Sequence, residues 1–122
     1  MSKRFALLLV FALACGKREA PAVAAAAGSA GDAARGRELM TSYGCTGCHM
    51  VPGIDGPRAT LGPALDNSAT KTAILGKFPN TPENMIRWLQ NPPGMDPNTT
   101  MPNVGVTEQD ARDVTAFLFT LR

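Results

Sequence analysis

Hydrophobic and polar positions alternate with the period of a helix in three segments of this chain. The first segment begins at Asp32, which is a suitable N-cap, and ends near Ser42. Its small and apolar residues fall on one side of the predicted helix: Gly36, Leu39, Met40 and Tyr43. Glycine inside a helix costs about 1 kcal/mol relative to alanine. Gly36 therefore indicates that another helix approaches closely.

Two further helices have clear start signals. Thr81-Pro82-Glu83 combines an N-cap, a proline at the first helical position and an acid in the first turn. This helix should run to about Gln90 and stop before Asn91-Pro92-Pro93. Thr107 and Asp110 resemble a capping box, with Asp in place of Glu or Gln. The last helix then carries an apolar stripe of Ala111, Val114, Leu118 and Leu121.

The segments between these helices predict loops and one more short helix. Residues 51–67 are punctuated by glycine and proline, and a proline-rich loop separates the last two helices. Thr70 to Leu75 is compatible with a short helix. There is no alternating strand pattern and no repeat, so the sequence predicts a single all-α domain at residues 32–122.

The N-terminal residues have the pattern of an export signal. Lys3 and Arg4 precede an apolar run from Phe5 to Ala14, which ends in small residues. As a helix this run would be about 15 Å long, too short for a bilayer core of about 30 Å. We therefore expect residues 1–14 to be a signal peptide, and the protein to lie on the periplasmic side of a bacterial membrane.

Cys15 follows the predicted cut, at the position where bacterial lipoproteins carry a lipidated cysteine. Leu13 and Ala12 match a lipobox imperfectly, and ordinary signal peptidase would instead leave a free thiol. We favour lipidation. Residues 15–31, rich in Ala and Gly, then form a flexible tether to the membrane, although they could also be a remnant of signal processing.

Charge does not indicate a nucleic-acid partner. The whole chain has a formal net charge of +2, but the segment from Asp32 onward contains eight basic and nine acidic residues. No strongly basic face is visible in the sequence.

Cys45-Thr46-Gly47-Cys48-His49 carries the main chemical signal of the chain. C-x-x-C-H is the attachment signature of c-type haem, in which two thiols form thioether bonds and the next imidazole meets the iron. The alternatives are a dithiol redox site, which expects a preceding strand, and a zinc site, which needs about four ligands. We predict one covalent haem c, attached at Cys45 and Cys48 and ligated by His49.

The sixth position of the iron must be filled differently, because the chain contains one histidine. The candidates are a methionine, a lysine or an open site. Met40 and Met50 flank the haem motif, and Met85 is most simply a core residue. Met95 and Met101 lie in the loop that can approach the opposite haem face, and Pro102 stiffens the chain after Met101. Spacing favours Met101 over Met95 only modestly.

Taken together, these motifs resemble the class I c-type cytochromes from Asp32 to Arg122. The matching elements are Gly36 and Tyr43, Cys45–His49, Gly62-Pro63-x-Leu65, Thr99-Thr100-Met101-Pro102 and the C-terminal Val114…Phe117-Leu118 helix. Residues 78–92 are most similar to the cytochrome c domain fused to subunit II of some haem–copper oxidases. No copper-binding domain precedes them here, which favours a detached carrier.

The resemblance implies loops wrapped around one haem, with the first and last helices crossing near Gly36 and Tyr43. It selects Met101 as the second axial ligand. It also implies that the Pro63 carbonyl accepts a hydrogen bond from the His49 ring, and that the Trp88 indole bonds a haem propionate. Pro63 could instead simply stiffen its loop, and Trp88 could be an ordinary core aromatic residue.

We therefore expect a one-electron carrier rather than an enzyme. Its partners would be redox proteins such as a terminal oxidase or a quinol-oxidising complex, and it would be a monomer held at the membrane by its lipid. The alternatives are a haem peroxidase, which needs an open site and a distal acid–base group, and a CO or NO sensor, which needs a labile Met101.

Overall fold

Three capped helices form the frame of the protein. The computed structural model describes residues 31–57 and 60–122, so the predicted signal peptide, Cys15 and nearly all of the tether lie outside the described residues. Helix α1 spans Ala33–Ser42, α2 spans Pro82–Gln90, α3 spans Pro92–Met95 and α4 spans Glu108–Leu118.

The three predicted helix starts are confirmed. The Asp32 carboxylate accepts hydrogen bonds from the backbone N–H groups of Ala34 and Arg35, at 2.9 and 3.1 Å. Thr81 and Thr107 cap α2 and α4 in the same way, each accepting from the N–H three residues later. These bonds satisfy donors that the first turn of a helix would otherwise leave without a partner.

Helix α4 packs against both α1 and α2. At the α1–α4 crossing, a Cβ on Gly36 would lie only 1.9 Å from the carbonyl oxygen of Asp113. The close approach that Gly36 predicted is thus confirmed, because any larger residue would collide with the backbone of α4. Around this crossing lies the main core cluster, formed by Met40, Val51, Ile86, Leu89, Val106, Ala111, Val114, Phe117 and Leu118.

A polar cluster joins α1 and α4. The Arg35 guanidinium contacts the carboxylates of both Asp110 and Asp113. The Tyr43 hydroxyl donates to Asp110 at 2.6 Å, and the Asp32 N–H donates to Asp113 at 2.8 Å. Asp113 is only 2% exposed, so these partners replace the water that burial removes.

The prediction of a helix at Thr70 to Leu75 is wrong. A 3₁₀ turn occupies Ser68–Thr70, and a hairpin follows in which β1 (Ala73–Ile74) pairs antiparallel with β2 (Phe78–Pro79). Leu75 and Gly76 both have positive φ, at 54° and 67°, and the Lys77 N–H donates to the Ile74 carbonyl. Strands of two residues are too short to show an alternating pattern, which is why the sequence did not reveal them.

The proline-rich loop also contains structure that the sequence did not predict. Helix α3 begins directly after α2, with Asn91 as its N-cap and Pro92 at its first position. A second 3₁₀ turn lies at Cys45–Gly47, directly after α1.

Within the part of the chain that the structure describes, no helix is long and apolar enough to cross a membrane.

Gly36→Ala should destabilise the protein although alanine is the better helix former. The added methyl group must push α1 away from α4, and overpacking of this kind costs about 1–3 kcal/mol. Chemical denaturation of the haem-loaded protein measures the loss. Glu38→Ala, at an exposed position of the same helix, is the control. Equal stability of the Gly36→Ala variant and the wild type would contradict the packing argument.

The α1–α4 polar cluster predicts a pH-dependent contribution to stability. Hydrogen bonds from Tyr43 and then Arg35 lower the pKa of Asp110. A carboxylate with a lowered folded-state pKa stabilises the protein above its unfolded pKa of about 4, and this stability is lost as the pH falls through the folded value. The wild type should therefore be more stable than Asp110→Asn at neutral pH, and the difference should close below about pH 4.

Denaturation curves of the two proteins across this pH range test the expectation. Glu38→Gln, which removes an exposed carboxylate of α1 outside the cluster, should not show a gap that closes in this way. A constant difference between the wild type and Asp110→Asn at all pH values would mean that the Asp110 charge is not what stabilises the crossing.

Candidate functional site

A mostly apolar cavity of about 250 Å³ lies between the helices, the hairpin and the loop that follows α3. Both thiols of the C-x-x-C-H segment, the His49 imidazole, the Met101 side chain and Trp88 line it. Leu61 and Leu75 also line it and are 82% and 45% exposed, so the cavity opens to solvent at these residues.

Local backbone geometry brings Cys45, Cys48 and His49 to one wall of this cavity. Gly44 ends the α1 segment in the left-handed conformation at φ 72°, which suits glycine. The chain then makes a single 3₁₀ turn, in which the N–H groups of Cys48 and His49 both donate to the Cys45 carbonyl. The two thiols are not joined in a disulfide, and both remain able to form bonds to a bound group.

Burial raises the pKa of the Cys45 thiol. An apolar cavity solvates a charge poorly, so a thiol that faces it stays in the neutral form and is not converted to a thiolate. Among the described residues, no group of three or more His, Cys, Asp or Glu side chains is arranged to hold a metal ion directly.

The imidazole of His49 is held from two sides. Its Nδ1 lies 2.7 Å from the carbonyl oxygen of Pro63, the contact that the family resemblance implied. A carbonyl can only accept, so Nδ1 carries a proton, and in the neutral imidazole this leaves the lone pair on Nε2. Gly62 lies directly against the ring: a Cβ at this position would be only 2.3 Å from the His49 Cε1, so any larger residue would collide with the imidazole.

Met101 lines the cavity and Met95 does not. Met101 is half-buried and lines the cavity, and its N–H donates to the Thr99 hydroxyl at 3.1 Å. Met95 lies in α3 and is not among the residues that line the cavity. Met50 is 44% exposed and borders a different, smaller cavity.

Two other methionines reach the same cavity. Met40 is a fully buried core residue of α1, and Met85 is a partly buried residue of α2 that packs on the core. The expectation that Met85 is a core residue agrees with this packing. Cavity lining alone therefore leaves Met40, Met85 and Met101 as thioethers within this space.

Trp88 is buried, at 6% exposed, and extends from α2 into the cavity wall. Asn80 is another polar residue of this wall, and no pattern in the sequence indicated it. Its amide donates to the carbonyls of Ser68 and Lys71 at 2.8 and 2.9 Å, which ties the 3₁₀ turn to the hairpin. No sequence motif marks Asn80, because its partners are backbone groups that only the fold brings near.

A mostly helical domain in which one short segment sends two thiols and an imidazole into an apolar cavity is the class I cytochrome c fold. The family model for cytochrome c matches residues 33–122, and the chain belongs to this family. Its cofactor is a covalently attached c-type haem, and it is a haem-based electron carrier. A search of curated protein sequences found no match to the chain.

The residues present fit this cofactor. The cavity combines soft sulfur and imidazole donors with apolar walls, which is the donor set that haem iron takes from proteins. Gly62 leaves the imidazole the space it needs, and the Pro63 carbonyl sets its tautomer.

Gly62→Ala should displace the His49 ring from Pro63. The new methyl group occupies the place of the imidazole, so either the ring or the loop must move, at a cost of about 1–3 kcal/mol. The His49 Nδ1–H resonance in the reduced haem-loaded protein should shift or disappear, and the unfolding temperature should fall. Gly47→Ala is the control, because nothing lies within 4 Å of a Cβ there. An unchanged resonance in Gly62→Ala would show that the ring is not confined by Gly62.

Proposed function

We propose that this protein carries single electrons on one haem that is bound to Cys45 and Cys48 and ligated by His49 and Met101. One observation carries the proposal: two thiols, one imidazole and the Met101 thioether line the same apolar cavity. When bound, the haem supplies the one-electron Fe(III)/Fe(II) couple.

The chain contributes rigid attachment and an apolar environment. Thioether bonds from Cys45 and Cys48 hold the cofactor at the end of α1. The apolar walls exclude water, so few dipoles must reorient when the charge at the site changes by one. Both features favour fast electron transfer without any change of substrate bonds.

The two side chains proposed as iron ligands would set the redox potential. The Nδ1–H of His49 donates to Pro63, which orients Nε2 and makes it a more basic ligand. The Met101 thioether is a soft donor that favours the reduced iron and raises the potential. Trp88 supplies an indole N–H in the cavity wall, and we assign it to a haem propionate.

Export and membrane attachment complete the proposal. Residues 1–14 would direct the chain to the periplasmic side, Cys15 would carry the lipid, and residues 16–31 would let the haem domain reach its partners. The segment most similar to the oxidase-linked cytochrome c domains, residues 78–92, supports a terminal oxidase or a quinol-oxidising complex as partner. The folded domain contains nearly equal numbers of basic and acidic residues, which does not favour a nucleic acid as partner.

Substitution of methionines tests the assigned ligand. Met101→Ala should remove the sulfur–iron(III) absorption band and let the reduced protein bind CO, because the sixth position opens. Met101→His should also lose the band and should lower the midpoint potential, because imidazole stabilises Fe(III) relative to thioether. Met95→Ala is the matched control and should do neither.

Other outcomes would reassign the ligand. If Met95→Ala removes the band and Met101→Ala keeps it, the assignment to Met101 is wrong and Met95 is the ligand. If both variants keep the band, Met40 and Met85 are the other thioethers within the cavity. A wild-type protein that lacks the band altogether would favour the peroxidase or sensor alternatives.

Membrane attachment through Cys15 is tested separately. The protein expressed with its leader in a bacterial host should partition with membranes, and Cys15→Ser should release it to the soluble fraction, because stable anchoring depends on acyl chains. Complete recovery of the wild-type protein in a periplasmic extract would contradict lipidation and leave the haem assignment untouched.

A further inference from the structure

Among the described residues, one polar contact joins the loop that carries Met101 to a distant part of the chain. Within residues 96–106, which we call the Met101 loop, the backbone and side-chain hydrogen bonds to described residues join groups no more than four positions apart. The exception is an ion pair in which the Lys77 ammonium donates to the Asp96 carboxylate at 2.6 Å.

The Asp96 carboxylate is buried at the start of this loop. Its side chain is 11% exposed, whereas that of Lys77 is 54% exposed. The second carboxylate oxygen accepts from the Asn98 N–H at 3.1 Å. Lys77 and this N–H lower the pKa of Asp96. A charge-assisted hydrogen bond to a buried carboxylate is stronger than one between neutral groups.

A short series of turns connects Asp96 to Met101. The Asp96 carbonyl accepts from the Thr99 N–H at 3.0 Å, and the Thr99 hydroxyl accepts from the Met101 N–H at 3.1 Å. Each turn fixes the direction of the next, so the place of Asp96 determines the place of the Met101 backbone.

Lys77 comes from the hairpin, a different segment of the cavity wall. It follows the Leu75-Gly76 turn of the hairpin, and the hairpin residues Ala73, Ile74 and Leu75 line the cavity, as do Thr99, Thr100 and Met101. The ion pair therefore joins two neighbouring segments of the cavity wall that are 19 residues apart in the sequence.

We propose that Lys77 and Asp96 are positioning residues for Met101: their ion pair holds the Met101 loop against the hairpin and keeps the thioether in the cavity. This inference rests on the proposed ligation of iron by Met101. It predicts that loss of the pair loosens the sixth ligand without loosening the covalent attachment at Cys45 and Cys48.

Two single variants of the haem-loaded protein test the proposal. Lys77→Ala removes the donor from an exposed position, and Asp96→Asn removes the charge while keeping an acceptor for Asn98. Both should weaken the sulfur–iron(III) band and speed CO binding to the reduced protein by about tenfold, the size expected when a hydrogen bond to a charged group is lost. Lys77→Arg keeps the ion pair and should retain the wild-type band and CO rate.

Glu108→Gln is the matched control. It breaks the Glu108–Arg112 ion pair, which lies within α4 and does not involve the Met101 loop. This variant should keep the band and the slow CO binding of the wild type. A change of the same size in Glu108→Gln would overturn the proposal, because the effect would then follow from any lost ion pair.

A merely structural role gives a different result. Lys77→Ala and Asp96→Asn could lower the unfolding temperature and yet, at temperatures well below unfolding, keep the wild-type band and CO-binding rate. The pair would then not position Met101, and the proposal would fail. If Asp96→Asn does not fold, Lys77→Ala decides alone. Met101→Ala separates the two assignments: if it keeps the band, the ligand assignment fails; if it removes the band and the Lys77 and Asp96 variants do not alter it, only the positioning role fails.

Discussion

The structure depends on one apolar cavity that the protein core shares with the cofactor. Met40, Leu89 and Leu118 belong to the buried core cluster and also line the cavity. A domain of this size buries only roughly 60–70% of the surface of its unfolded chain, so its own core is marginal. We therefore regard the haem as part of the core rather than as a ligand of a domain that is complete without it.

A few local contacts in the helices around this cavity determine where the proposed iron ligands lie. The crossing at Gly36 brings α1 against α4, and Gly44 then turns the chain so that Cys45, Cys48 and His49 face inward. The hairpin and the Met101 loop form another part of the cavity wall, and the Lys77–Asp96 ion pair joins them. The chain thus supports the two proposed axial ligands by different means: backbone packing for His49 and a salt bridge for Met101.

Much of what could be predicted from the sequence was local. The caps at Asp32, Thr81 and Thr107 depend on contacts within three residues, and the glycine at position 36 has few explanations other than close packing. The hairpin at Leu75 was missed, because a leucine with positive φ gives no turn signal in a sequence. The bonds of Asn80 and the Lys77–Asp96 pair join segments that only the fold brings together, and the sequence contains no sign of either.

Thermal unfolding of the haem-loaded protein, compared with that of the same chain produced without haem attachment, tests whether the haem completes the core. Scanning calorimetry reports whether each form unfolds cooperatively. If the haem is part of the core, the loaded protein gives a cooperative transition and the haem-free chain gives none. A haem-free chain that unfolds cooperatively at nearly the same temperature would contradict the account, because the core would then be complete without its cofactor.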